Sequence, residues 1–105
     1  MPEFSALAIV ATANANRYLQ QLCKHWAHHL PVELSSDRGD VTFPKNLRGA
    51  DDPGDATAAF YSVESGLKIE IHATSMEQLE RLKGVIAQHL DRFAFREAPL
   101  VFDWT

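Results

Sequence analysis

The chain reads as a two-layer α+β domain: an antiparallel sheet with two helices on one face, in the order β-α-β-β-β-β-α, plus a short C-terminal strand. Three observations predict this. Apolar residues recur at helical spacing twice, as Ala15, Tyr18, Leu19, Leu22, Cys23, Trp26 and Leu30, and as Leu79, Leu82, Ile86, Leu90 and Phe93. The stretch Leu67 to Thr74 instead alternates with period two, so Leu67, Ile69, Ile71 and Ala73 face a core while Lys68, Glu70, His72 and Thr74 face water. A sheet with one wet face needs helices on the other face only. Finally, 105 residues, 46% apolar and 23% charged, are enough for one core, so residues 1–105 form a single domain.

The elements follow in order. Ser5 to Thr12 is a short apolar run containing Ile9 and Val10 and reads as a buried strand. Asn14 is placed to cap the first helix, which runs from Ala15 to Leu30, because Pro31 disfavours the α conformation at the residue before it. Val32 to Ser35 and Asp40 to Phe43 form a hairpin around the turn Asp37-Arg38-Gly39-Asp40. Pro44 to Asp55 is a loop whose clearest turn is Asp51-Asp52-Pro53-Gly54-Asp55. Ala56 to Ser62 is the next strand, turned by Glu64-Ser65-Gly66 into Leu67 to Thr74. Ser75 and Gln78 have the spacing of a capping box and open the second helix, which Pro99 shows to have ended. Gly84 weakens that helix slightly. Leu100 to Trp104 is the terminal strand, at an edge.

Composition narrows the function. A net charge of −4 and a pI near 5.6 argue against nucleic acid as a partner. No apolar run approaches the ~18 residues that span a bilayer. Met1-Pro2-Glu3-Phe4 lacks the pattern of a secretion signal, and the lone Cys23 suits a reducing compartment, so the expectation is a cytoplasmic protein that does not enter a membrane.

Five histidines are the feature that most needs a reason. His25 and His29 stand four apart on the first helix, and His89 flanks the apolar face of the second. With the helices side by side, His25, His29 and His89 converge as metal or ligand candidates, and three nitrogens with an open position suit iron or zinc. The plainer alternative is that each ring packs at the core border and bonds to backbone or water. His28 points to solvent and His72 lies on the outer sheet face. Trp26 stands where a zinc protease would carry its glutamate, so that motif is absent. No base stands one turn beyond Cys23, where Trp26 and Ala27 lie. Arg92 and Arg96, four apart, are candidates for holding a carboxylate or phosphate, or simply cations near a helix C-terminus. No nucleophile–base pair, phosphate loop or cofactor fingerprint is present, so no enzyme is expected.

The element order resembles that of TATA-binding-protein-like domains, an analogy of fold only. The segments Arg17-Tyr18-Leu19, Leu22-Cys23-Lys24-His25-Trp26, His89-Leu90-x-Arg92-Phe93-x-x-Arg96-Glu97 and the closing Trp104 together resemble the bacterial family called domain of unknown function 2218. The likeness covers nearly the whole chain and is weakest over Lys45 to Asp55. It implies no catalytic residues. It implies an association with iron acquisition, since similar domains accompany siderophore-interacting proteins. The leading expectation is therefore a small accessory domain for iron, haem or a ferric siderophore, partnered by a siderophore-interacting protein. The alternative is an interaction module without ligand, forming a homodimer through the open edge of Leu100–Trp104.

Overall fold

A computed structural model describes residues 4–105. The reading of the extreme N-terminus as lacking a leader falls largely on residues outside that range. Strand β1 (Phe4–Val10) leads to helix α1 (Ala15–Trp26). Strands β2 (Val32–Leu34), β3 (Arg38–Phe43), β4 (Ala56–Val63) and β5 (Gly66–Ala73) follow, and then helix α2 (Met76–Phe93). The five strands form one sheet in the order β1-β5-β4-β3-β2, every neighbour antiparallel. Sequence order and spatial order thus differ only in that β1 closes onto β5, on the far side of the meander.

Register explains the layering. Ala6, Ala8 and Val10 of β1 pair with Ile71, Ile69 and Leu67 of β5, and Ala58 and Phe60 of β4 pair with the same Ile71 and Ile69 from the other side. All of these are buried, beneath Leu19, Leu22 and Cys23 of α1 and Leu79, Leu82, Ile86 and Leu90 of α2. The alternate positions carry the wet face, where Tyr61 lies between Arg38 and Lys68, with their cationic groups 4.7 and 5.3 Å from its ring centroid. Gly66 opens β5 with φ of +145°, and a Cβ there would stand 2.1 Å from the Val10 carbonyl oxygen. Only glycine lets the two backbones approach so closely.

Four local expectations are corrected. Helix α1 ends at Trp26, not Leu30: the amides of His29 and Leu30 both donate to the Trp26 carbonyl (3.0 and 2.8 Å), tightening the last turn before Pro31. Asn14 occupies the cap position, yet its side chain makes no cap bond and donates instead to Glu97. The β2–β3 turn comes earlier than Asp37–Asp40, since β3 already begins at Arg38, and Gly39 lies inside the strand against Cys23. Leu100–Trp104 forms no strand. The Leu100 amide is taken by the Asp91 carboxylate (2.9 Å), Phe102 and Trp104 stack on each other with partly buried rings, and only Thr105 exchanges backbone hydrogen bonds with Leu7 on β1. The edge strand on which the homodimer expectation rested is therefore missing, and the chain's own end covers the middle of β1.

The N-terminus of α2 departs from the expected box in one bond. Ser75 accepts the Gln78 amide as foreseen (3.0 Å). The Gln78 side chain reaches back one residue further than expected, to the Thr74 amide (2.8 Å), and also donates to the Gly54 carbonyl (3.0 Å). Gln78 is the one buried polar residue among those described, and it ties the loop 44–55 to the helix.

Candidate functional site

Loop 44–55, the end of α1 and one side of α2 line an open cleft of about 1030 Å³. The loop is held at three points. Asp55 accepts the Lys45 amide (2.8 Å), Gly54 bonds with Thr74 and Gln78, and Asp52 receives both Nη atoms of Arg81 (2.8 and 3.0 Å). That Arg81–Asp52 fork crosses from α2 to the loop with the carboxylate largely buried, the geometry in which an ion pair is strongest. The apolar part of the cleft comes from Trp26, Leu30, Phe43, Leu47, Leu82 and Val85. Arg48 sits on its rim with φ of +53°, a left-handed backbone uncommon outside glycine.

His25, His29 and His89 all line this cleft. The structure brings His25 and His89 into contact, with ring centroids 5.5 Å apart. His89 also lies against Trp26 (5.2 Å), and His25 meets the edge of Phe93 (5.8 Å). His29 does not join the pair: it lies past the end of α1, and its ring neighbour is His28 at 6.4 Å. Among the described residues, no group of three or more histidine, cysteine, aspartate or glutamate side chains stands ready around a metal ion. What sequence spacing foresaw as a triad is a pair with a third imidazole elsewhere on the same wall.

The pair has a defined chemistry. His89 Nδ1 lies 2.7 Å from the Val85 carbonyl, which can only accept, so Nδ1 is the donor in that bond and Nε2 takes no part in it. Desolvation first, then the neighbouring His89, His29, His28 and Arg92, lower the His25 pKa below its ordinary value, which favours the neutral ring that binds metal. His72 pairs loosely with Glu70 (3.9 Å) on the outer face, away from the cleft, as its alternation foretold. Cys23 is buried, and its thiol is pushed up to about 11 by burial and then by Asp40, so it is inert as a nucleophile.

Arg92 and Arg96 do not form the expected helical pair, because α2 stops at Phe93. Arg92 stays near His25, whose pKa it helps to lower, while Arg96 lines a separate hollow that Arg17 also lines. Sequence reasoning missed Arg48, Arg81 and the loop as cleft walls. Its one usable signal was the unbroken turn chemistry of Asp51–Asp55, which marks where the loop must return.

Glu97, which the sequence places only within the family-like segment, has a structural task. Its carboxylate accepts from the Tyr18 hydroxyl, from Asn14 Nδ2 (3.1 Å) and from Thr12 Oγ1 (2.8 Å), fastening the C-terminal segment to the start of α1. The Tyr18 bond, then Asn14 and Thr12, hold the Glu97 carboxyl below its ordinary 4.5, while the same bond with burial raises Tyr18 above 10. A depressed carboxyl stabilises the fold fully above its ordinary value and loses that contribution as pH falls below it. The raised phenol stabilises fully below pH 10 and loses its share as pH climbs through the shifted value. Glu97→Gln should therefore flatten the fall of the urea midpoint between about pH 5 and 3. An unchanged acid limb in that variant would show that the fastening carries no stability.

Fold and cleft together define a two-layer α+β domain with an antiparallel sheet and an imidazole-lined groove. The chain belongs to the family described as "Uncharacterized protein conserved in bacteria (DUF2218)", whose sequence profile matches residues 7–105. It is similar to the solved structure described as "NMR structure of PA4090 from Pseudomonas aeruginosa", with a TM-score of 0.68 and 27% identity over 96% of this chain and 93% of that one. No curated protein matches the chain. No helix among the described residues is long and apolar enough to cross a membrane.

Proposed function

We propose that this domain is a binding module and not a catalyst, and that it holds a transition-metal ion, iron or zinc, at His25 and His89. The carrying observation is the ring pair. Two imidazoles on one tetrahedral ion, each with a metal–nitrogen bond of about 2.0–2.1 Å, place their ring centroids roughly 5 Å apart, and the pair stands at 5.5 Å. The Val85 carbonyl on His89 Nδ1 is the kind of outer partner that fixes a ligating imidazole.

Two protein nitrogens leave coordination positions open toward the cleft, whose volume admits an organic chelator. An iron chelate is the occupant in keeping with the resemblance to domains that accompany siderophore-interacting proteins. A ferric siderophore with unfilled positions, delivered by or passed to a siderophore-interacting protein, is the concrete form of this reading. Trp26 and Leu82 offer the ligand apolar walls, and Arg48 on the rim offers a cation for an acidic group.

Calorimetric titration of untagged protein with Zn²⁺ and Fe²⁺, and separately with a ferric catecholate, tests this. One metal per chain is expected, weakened at least about tenfold in His25→Ala and in His89→Ala, and less in His29→Ala. Absence of binding in the parent protein, or parental affinity retained in His25→Ala and His89→Ala, would overturn the reading. Metal binding without catecholate binding would leave the ion and remove the chelate.

A further inference from the structure

Between the N-terminal half of α1 and the turn after α2 lies a second hollow, of about 240 Å³, lined by Arg17, Tyr18, Gln21, Phe93, Phe95 and Arg96. Its two guanidinium groups make no ion pair among the described residues. This is unexpected beside Glu97, the residue next to Arg96 in the chain. The Glu97 carboxylate is instead committed to three neutral donors, from Tyr18, Asn14 and Thr12. In a chain of net charge −4, two cations line one hollow, and no aspartate or glutamate is among its lining residues.

The same hollow holds an otherwise unexplained aromatic. Phe95 is 70% exposed, and the Arg96 guanidinium lies 5.6 Å from its ring centroid. Phe93 is a second aromatic in the lining, and its ring also meets His25 edge-on.

We propose that this hollow is an anion site for a carboxylate carried on an aromatic ring, with the acid group between Arg17 and Arg96 and the ring against Phe93 and Phe95. A guanidinium presents parallel N–H donors that match a carboxylate, and two cations lining one hollow favour the entry of an anion. Aromatic faces favour a flat apolar body attached to that anion. Gln21 supplies one further polar contact. The volume admits a single ring with its acid group and is too small for a nucleotide. The site is separate from the metal pair and does not depend on it.

The test is an amide NMR titration of the full chain with three probes: benzoate, benzamide and inorganic phosphate. Benzoate should move the signals of Arg17, Gln21, Phe95 and Arg96 saturably. Benzamide, which keeps the ring without the charge, and phosphate, which keeps the charge without the ring, should each bind at least about tenfold more weakly. Arg17→Gln and Arg96→Gln should each weaken benzoate by a similar factor, whereas Arg92→Gln, outside the hollow, should not. Benzamide binding as tightly as benzoate, phosphate matching benzoate, or affinity retained in both arginine variants would overturn the proposal. The benzamide comparison needs no variant, so a substitution that fails to fold does not remove the test.

Discussion

Gln78→Ala is expected to destabilise the domain by about 2–4 kcal/mol, measured as the shift in urea unfolding free energy. The residue is only 2% exposed, and its amide group meets the Thr74 amide, the Thr74 hydroxyl and the Gly54 carbonyl at 2.8, 2.6 and 3.0 Å. Truncation strands the Thr74 amide, removes one partner from Gly54 and leaves a cavity under the loop. Gln78→Met separates these effects, since it restores volume but no hydrogen bond. If the polar network dominates, methionine recovers little of the loss; near-complete recovery would contradict that assignment. Because the same side chain anchors loop 44–55, the alanine variant should also increase amide exchange at Gly54 and Asp55.

Gly39→Ala is the second large effect, with an expected cost of about 1–3 kcal/mol from overpacking. A Cβ at residue 39 would stand 2.3 Å from Cys23 Sγ, whereas the Cys23 Cβ, at 3.6 Å, is in ordinary contact. Cys23→Ala removes the obstructing atom at the cost of a small cavity. The double variant should therefore be more stable than the sum of the two single effects by at least about 1 kcal/mol. Additivity in that cycle would show that strand β3 can move away from α1. The role of Gly39 is thus to let α1 approach the sheet, where composition alone suggested a turn.

That contrast marks what the sequence made legible. The two helical stripes, the alternation of Leu67–Ala73 and the order of elements were readable because each is a local period, and tertiary packing did not override it. Ser75 as a cap was readable for the same reason. The mistakes fall where long-range partners decide. Gly39 is explained by Cys23, sixteen positions away, and Leu100 by Asp91. His29 looked like a partner of His25 on one helical face, until the final turn tightened onto the Trp26 carbonyl and ended the helix early. The approach of His25 to His89 was legible, since it needs only two helices side by side on one surface. The cleft was not, because its outer wall is an irregular loop held by Arg81–Asp52 and Gln78–Gly54, contacts that no periodicity announces.

The tautomer and ligation of His89 decide whether the His25–His89 pair holds a metal ion. Long-range ¹H–¹⁵N spectra of the imidazole rings distinguish a protonated Nδ1 from a protonated Nε2, and they show which nitrogen a metal engages. His89 should carry its proton on Nδ1 in the free protein. On adding Zn²⁺, the Nε2 of His89 and one nitrogen of His25 should shift together at one equivalent, while His72 stays still. A His89 ring protonated on Nε2, or metal that shifts His28 and His29 but leaves the 25–89 pair unmoved, would contradict metal binding there.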